Sequence, residues 1–338
     1  MPTTREVSLS VLDLVPVVEG GTPQQSFRNT LDLARHAERW GYKRYWLAEH
    51  HGLPGVASSA TAVVIAYVAA GTSTIRVGSG GIMLPNHAPL MVAEQFGTLE
   101  SMFPGRIDLG LGRAPGADFP VTRALRRGLT SSGDDFPELL RELRSYFQPA
   151  DETEPSQVRA IPGEGLRIPI WLLGSSGFSA QLAAELGLPF AFASHFAPDF
   201  VLQALHLYRT GFRPSAELSA PRVMIGLNVV AAETDEEAAW LATSMERQFL
   251  NVIRRRPGRL MPPTDRPDTE WTELEKTVVR QQLSYSIVGS PETVRKRLMH
   301  FMELTGADEF IVSSPIYDHR ARLRSYEILA EAAAGLSD

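Results

Sequence analysis

The amino-acid sequence predicts an α/β fold, a (β/α)8 or TIM barrel in which parallel strands form a closed cylinder inside a ring of helices. Three observations favour this fold class: eight short apolar runs, an amphipathic segment after nearly every run, and polar side chains where the runs end. A repeated strand-then-helix order produces a parallel sheet with right-handed crossovers. Eight such units favour a closed barrel over an open, doubly wound sheet, which stays the alternative.

The predicted strands and helices alternate along the chain. A strand is indicated by a short apolar run between turn residues, and a helix by apolar residues that recur every three or four positions. The segment 26–40 is an example, because its apolar residues share one helical face and Gly41 follows it. The strands are predicted at residues 7–14, 45–49, 75–83, 107–112, 170–173, 190–194, 222–230 and 309–313. The helices are predicted at residues 26–40, 59–71, 89–102, 137–147, 179–186 and 198–210.

Two long segments interrupt this order. The length of 338 residues allows two domains, but α/β barrels of about 250 residues or more form one unit, so we expect a single domain over residues 1–338. An insertion at about residues 113–168 follows the fourth strand, and another at about 251–285 follows the seventh. Long loops in ordered domains are often lids or binding loops. An insertion without a role is the alternative for the second segment.

Composition and charge exclude several classes of protein. The net charge of −6 argues against nucleic acid as a partner, because binding of phosphates needs a dense basic surface. The absence of cysteine excludes disulfides, thiolate metal sites and a cysteine nucleophile. The most apolar stretch, residues 60–70, is shorter than the roughly 20 residues of a membrane-spanning helix, and no secretory signal is apparent at the start. We therefore expect a soluble, cytoplasmic protein with no membrane partner.

Familiar catalytic motifs are missing. Gly110 and Gly112 begin a dinucleotide fingerprint, but Pro115 stands where the third glycine is required. Neither a phosphate-binding P-loop nor a His-Glu-x-x-His zinc motif occurs, and the segment 174–178 is not a nucleophile elbow. The adjacent His50 and His51 point to opposite faces of a strand, which makes them a poor metal chelate. No metal site is expected.

Polar side chains after the fifth strand predict an anion site. Ser175, Ser176 and Ser179 stand beside the start of the predicted helix 179–186. The free N–H groups and the dipole of a helix N-terminus attract anions. Arg113, at the end of the neighbouring fourth strand, is placed to supply the counter-charge. The alternative is that Ser179 only caps its helix.

Two further positions point to a ligand at the carboxyl ends of the strands, where barrel enzymes have their active sites. Gly80 and Gly81 interrupt a strand, which favours either close approach of a flat ring to the backbone or a simple bulge. His50 follows the second strand and is suited to proton exchange, because its ordinary pKa is near 6.5. An ordinary hydrogen-bonded histidine is the alternative.

An ordered set of segments resembles the bacterial luciferase-like flavin monooxygenases. It includes the run Glu49-His50-His51, and the likeness extends from about residue 7 to about residue 330. The matching segments are residues 45–51, 77–85, 105–107, 112–113, 173–176, 183–189 and 288–294.

The resemblance implies a role for each matching residue. His50 would be the catalytic acid or base, and Glu49 would orient it. The phosphate of FMN would be held by Arg113, Ser175, Ser176 and Ser179. Gly80 and Gly81 would be joined by a non-proline cis peptide bond against the flavin ring. The remaining implied cofactor contacts are Met83, Gly174 and His195.

The activity implied is that of an FMN-dependent monooxygenase. It would use reduced FMN and O2 to oxygenate a small organic substrate, with the flavin supplied by a separate NAD(P)H-dependent flavin reductase. One alternative is a deazaflavin-dependent hydride-transfer oxidoreductase of the same superfamily, with the anionic coenzyme tail bound by the arginines of residues 254–256 or 126–127. The other is a non-catalytic flavin-binding protein.

The sequence also predicts a homodimer. The helix at residues 59–71 is apolar almost all round, whereas barrel helices normally expose one polar face. A second copy of the chain would cover this helix and its neighbour at residues 89–102, as the family resemblance also implies.

Overall fold

The structure, a computed structural model, describes residues 7–114, 119–125, 135–149, 158–265 and 269–334. Its strands are β1 (Ser8–Asp13), β2 (Arg44–Leu47), β3 (Arg76–Met83), β4 (Ile107–Gly112), β5 (Ile170–Gly174), β6 (Phe190–Phe192), β7 (Val223–Ala231), β8 (Ile287–Gly289) and β9 (Glu309–Ser313). Its helices are α1 (Pro23–Arg39), α2 (Thr61–Ala70), α3 (Pro89–Met102), α4 (Phe119–Leu125), α5 (Phe136–Tyr146), α6 (Gly177–Leu186), α7 (Val201–Gly211), α8 (Asp235–Ile253), α9 (Glu273–Gln282), α10 (Pro291–Thr305) and α11 (His319–Ala334).

Eight of these strands form a closed parallel barrel. Their order around the cylinder is β6-β5-β4-β3-β2-β1-β9-β7, and a pairing between β6 and β7 closes it. All the ladders between these strands are parallel. The predicted (β/α)8 fold class is confirmed. The single-domain organisation of residues 1–338 stays a prediction.

The boundaries of β4, β9 and α3 agree with the sequence, and others differ by a few residues. β6 ends at Phe192, two residues early, because the chain turns there and the Ser194 hydroxyl donates to the Gly226 carbonyl at 2.6 Å. The helix expected at 198–210 is a 3-10 turn at Pro198–Phe200 followed by α7. β8 has no counterpart in the predicted set, because it has three residues and pairs only with the end of β7 beyond the barrel.

Both predicted insertions contain helices. α4 and α5 lie within residues 113–168, and α9 lies within residues 251–285. α9 begins with a capping box, in which the Thr272 hydroxyl accepts from the Glu275 amide and the Glu275 carboxylate accepts from the Thr272 amide. Parts of both segments lie outside the described residues, and their role as lids stays a prediction.

Two apolar cores hold the barrel. The larger one lies between the strands and the helices, and the smaller one fills the cylinder. In β7, Met224 belongs to the inner cluster and Ile225 to the outer one, so the even-numbered residues in the first part of this strand face inward. The inner cluster consists of Leu12, Trp46, Ala48, Trp171, Ala191, Met224 and Ile311.

A buried ionic network closes the barrel at the amino ends of its strands. We call it the ionic floor, and its members are Ser10, Arg44, Asp108 and Glu309, all of them buried. Arg44 Nε donates to Glu309 Oε1 at 2.6 Å, and Arg44 Nη1 donates to Asp108 Oδ2 at 2.7 Å. The Ser10 hydroxyl also donates to Glu309. Each buried charge therefore has an opposite charge and hydrogen bonds.

None of the helices in the described residues combines the length and the apolar character that a membrane span requires.

Candidate functional site

The opposite end of the barrel differs from the ionic floor. We call it the mouth: the carboxyl ends of β2 to β7 with residues 48–51, 84–87, 113–114, 175–179 and 193–197 that follow them. Glycine is frequent here because the strand ends pack closely. A Cβ at Gly81 would lie 2.7 Å from the Gly110 carbonyl oxygen, and one at Gly110 would lie 2.2 Å from the Ser79 oxygen. At Gly112, Gly174 and Gly226 a Cβ would instead meet a neighbouring side chain, that of Met83, Ser179 or His195 respectively.

The backbone of β3 is irregular where the sequence predicts it. The Gly80–Gly81 peptide bond is cis, so this prediction is confirmed. The β3–β4 ladder also shifts register between Ser79 and Ile82, so a bulge and a cis bond occur together. A Cβ at Gly80 would lie 2.8 Å from Leu12 Cδ1 and 3.1 Å from Trp46 Cβ, so a side chain there would have to displace the inner apolar cluster.

The predicted anion site lies at the start of α6, and one detail of the prediction is wrong. α6 begins at Gly177, two residues before the expected start, and its N-cap is Ser176 rather than Ser179. Ser179 is buried in the first turn, so it does not cap the helix. The Ser176 side chain makes no capping hydrogen bond. The free amides of this helix end therefore remain available to an anion.

Arg113 lies at this helix end, as the sequence predicts. Its guanidinium carbon is 4.3 Å from the ring centroid of Phe178, in the first turn of α6. Within the described residues Arg113 has no salt bridge, whereas Arg44 and Arg322 are both paired with buried carboxylates. A cation, a helix N-terminus and the hydroxyls of Ser175 and Ser176 thus meet at one edge of the mouth.

The carboxylate of Glu49, at the end of β2, is contacted by three hydrogen-bonding groups. Glu49 is buried, and its Oε1 is 2.8 Å from His51 Nε2 and 2.9 Å from His87 Nε2. Its Oε2 accepts from the Met83 amide at 2.9 Å. Burial alone would raise the pKa of Glu49, but hydrogen bonds from His51, His87 and Met83 lower it to about 2. Glu49 is therefore ionised and ties the ends of β2 and β3 together.

His51 and His87 are the site residues that sequence reasoning missed. A signal existed for His51, because residues two apart on an extended chain share a face with each other, as Glu49 and His51 do. His87 lies 38 positions from Glu49, and only the pairing of β2 with β3 brings the two together. The orientation of His50 by Glu49 stays a prediction.

Two histidines follow strands on opposite sides of the barrel, His50 after β2 and His195 after β6. His50 is partly exposed, and its amide donates to the Ser58 carbonyl at 3.0 Å. His195 follows β6, and its Nδ1 is buried without a hydrogen-bond partner among the described residues. Burial, with a smaller contribution from His50, lowers the pKa of His195 to about 4. His195 is therefore neutral, whereas His50 stands nearer to solvent.

Arg254, one of the arginines expected to bind the anionic tail of a deazaflavin, is paired with a carboxylate of the chain instead. Arg254 donates from Nε to Glu275 Oε1 at 2.7 Å and from Nη2 to Glu275 Oε2 at 3.1 Å, which joins the end of α8 to α9. This pairing gives Arg254 a structural role. Residues 126–127 lie outside the described residues.

Comparison with known proteins gives a family match over most of the chain. A family model described as luciferase-like monooxygenase matches residues 8–309. A luciferase-like monooxygenase of Escherichia coli strain K12 is 52% identical over 326 residues, which cover 96% of this chain and 97% of the relative. The N-acetyl-S-alkylcysteine monooxygenase of Bacillus subtilis strain 168 is 33% identical, over 96% of this chain and 98% of the relative.

Solved structures share the fold at lower identity. The oxygenating constituent of 3,6-diketocamphane monooxygenase from Pseudomonas putida, in complex with FMN, has a TM-score of 0.74 and 20% identity, and 98% of each chain is covered. An F420-dependent secondary alcohol dehydrogenase has a TM-score of 0.66 and 12% identity, with 97% of this chain and 99% of that chain covered. At these identities the likeness shows the fold alone.

Proposed function

This chain belongs to the luciferase-like monooxygenase family, and from that premise we propose that it oxygenates a small organic substrate with O2 and reduced FMN. The flavin would be supplied by a separate NAD(P)H-dependent flavin reductase in the cytoplasm. The observation that carries the proposal is the position of Arg113, which lies against the N-terminal turn of α6 without a salt bridge to any described residue.

The residues at this helix end fit the phosphate of FMN. A phosphate dianion needs charge-assisted donors, and Arg113 supplies a guanidinium while α6 supplies free amides. The hydroxyls of Ser175, Ser176 and Ser179 complete the donor set. The described residues offer no carboxylate in a salt bridge with Arg113 that would compete with the ligand.

The flavin ring would extend from there over the glycine-lined backbone. Gly80, Gly81, Met83, Gly174 and His195 would line it, because all five lie in the carboxyl-terminal parts of β3 and β5 or in the loop after β6. Reduced flavin supplies the electron chemistry with O2 that amino-acid side chains lack. The chain would supply orientation, a water-poor surface and proton exchange at the imidazole of His50.

Rapid mixing of reduced FMN with air tests this function. We expect the wild-type protein to change the time course of flavin reoxidation and to delay the release of peroxide. His50→Ala should still bind FMN but lose this effect on reoxidation. An unchanged time course with the wild type, despite bound FMN, would instead support a non-catalytic flavin-binding protein.

The deazaflavin alternative predicts a different preference. A deazaflavin-dependent enzyme would bind the deazaflavin coenzyme more tightly than FMN, and it would show no oxygen-dependent chemistry. We expect FMN to bind more tightly, since Arg254 is already engaged by Glu275. N-acetyl-S-alkylcysteines form the first set of substrates to screen, because the relative at 33% identity is named for them.

We also propose a homodimer through α2 and α3. α2 buries Val64, Ile65 and Val68 but leaves Val63 69% exposed, and α3 leaves Met91 57% exposed. Apolar side chains exposed together on adjacent helices are typical of a protein interface. Light scattering should show a dimer for the wild type and a monomer for Val63→Glu.

A further inference from the structure

The loop after β6 is held rigidly against β7. The buried Ser194 hydroxyl donates to the Gly226 carbonyl at 2.6 Å, and the Asn228 side-chain amide donates to the His195 carbonyl at 2.7 Å. Two bonds on consecutive residues fix the main chain of His195. The point from which its ring projects is therefore determined by the fold.

The ring of His195 occupies the space that a side chain at Gly226 would need. A Cβ at Gly226 would lie 2.3 Å from His195 Nδ1 and 3.0 Å from Cε1. Nδ1 therefore packs against the backbone of β7 on the inside of the barrel. His195 as a whole is partly exposed although Nδ1 is buried, so its accessible edge lies on the side of Nε2.

This contact decides which nitrogen carries the proton. A hydrogen on Nδ1 would be a buried donor with no acceptor among the described residues. Buried N–H groups without a partner are rarer and more costly than acceptors that lack one. The lone pair therefore belongs on Nδ1 and the hydrogen on Nε2.

We propose that His195 is a fixed Nε2–H tautomer that donates one hydrogen bond to an acceptor atom of the flavin ring, while His50 alone exchanges protons. The two histidines of the mouth would then have separate roles, set by burial on one side and by access to solvent on the other. The identity of the ligand rests on the proposed function, but the tautomer does not.

Nuclear magnetic resonance of the protein with 15N-labelled histidine tests the tautomer without any ligand. The signals of His195 are assigned as those missing from His195→Gln. Between about pH 5.5 and about pH 8 we expect the pattern of a neutral Nε2–H imidazole that does not titrate. An Nδ1–H pattern, or protonation of His195 within this range, would overturn the proposal.

A matched pair of variants tests whether His195 Nε2 donates a hydrogen bond to the flavin. In His195→Gln the side-chain amide nitrogen replaces Nε2, whereas in His195→Asn it replaces Nδ1. We expect the Gln variant to bind FMN within about threefold of the wild type and the Asn variant to bind about five- to tenfold more weakly, as for one lost neutral hydrogen bond.

Fluorescence titration with FMN measures both affinities. Equal affinity of the two variants would show that Nε2 donates nothing to the flavin and would contradict the proposal. If the wild type itself does not bind FMN, the proposed function fails. The tautomer of His195 is still determined by the nuclear magnetic resonance experiment, which needs no ligand.

Discussion

The two ends of the barrel differ in how fully their charged and polar side chains are paired within the chain. At the amino ends, Arg44 bonds to both Asp108 and Glu309, so the ionic floor is satisfied within the chain. At the carboxyl ends, Arg113 has no salt bridge within the described residues, and the Ser176 side chain makes no capping hydrogen bond. A buried network that is fully bonded stabilises one structure, whereas unpaired donors at an accessible surface are available to a ligand.

This contrast separates a fixed frame at one end of the fold from a candidate binding site at the other. Changes in the ionic floor should alter the free energy of unfolding and leave ligand binding alone. Changes in the mouth should alter ligand binding more than stability. Glu49 lies in the mouth, but its carboxylate is hydrogen-bonded within the chain like the residues of the ionic floor. A change at Glu49 should therefore alter both stability and ligand binding.

The largest effect is expected for Glu309→Gln. This change leaves the buried Arg44 with Asp108 alone and removes the charge that faces Lys43 at 3.9 Å and Arg222 at 3.8 Å. Breaking a buried ion pair costs about 3–5 kcal/mol, so urea unfolding should show a loss of this size. FMN affinity of the folded variant should be unchanged. A loss in affinity without a loss in stability would contradict the comparison.

Glu49→Gln should have a smaller effect that depends on pH. The pKa of Glu49 is lowered from 4.5 to about 2 in the folded protein, so its contribution is complete above pH 4.5 and disappears as the pH falls towards 2. At neutral pH the variant should be less stable by up to about 3 kcal/mol. The difference should shrink at acidic pH, and a difference that is the same at every pH would argue that Glu49 is not ionised.

His87→Phe should have the smallest effect on stability, and it should also weaken the binding of FMN. The change removes one donor to Glu49, whose other oxygen holds the Met83 amide beside Gly80 and Gly81. We expect a loss in stability of about 1 kcal/mol and FMN binding about three- to tenfold weaker.

His319→Phe is the matched control for this prediction. His319 Nε2 lies 2.9 Å from Asp32 Oδ2, the same distance as His87 Nε2 from Glu49 Oε1, but the pair joins the outer helices α1 and α11. The control should lose no more stability than His87→Phe, because the Asp32 side chain is 48% exposed, and it should keep its FMN affinity. Equal losses of affinity in both variants would mean that the Glu49 cluster has no special role in the mouth.

The sequence predicts the barrel better than it predicts the contacts inside the mouth. The apolar runs fix most strands, and the order of the strands correctly places Arg113 beside the start of α6. The bonds of Glu49 to His87 and of Asn228 to the loop at His195 span 38 and 33 positions. Such contacts depend on register and on ring orientation, which periodicity does not encode.

β8 and the start of α6 show the limits of local signals. β8 has three residues and pairs only with the end of β7, so it lacks the length of a recognisable strand. Gly177 opens α6 although glycine is a poor helix former, and Ser179 therefore looks like the cap in the sequence.

The central claim is that Arg113 and the N-terminus of α6 bind the phosphate of FMN. Calorimetric titration of the wild type and of Arg113→Met with FMN and with riboflavin, which lacks the phosphate, tests it most directly. We expect the wild type to bind FMN about ten- to a hundredfold more tightly than riboflavin, and the variant to lose most of this preference. Equal affinity of the wild type for the two compounds, or an undiminished preference in Arg113→Met, would contradict the claim.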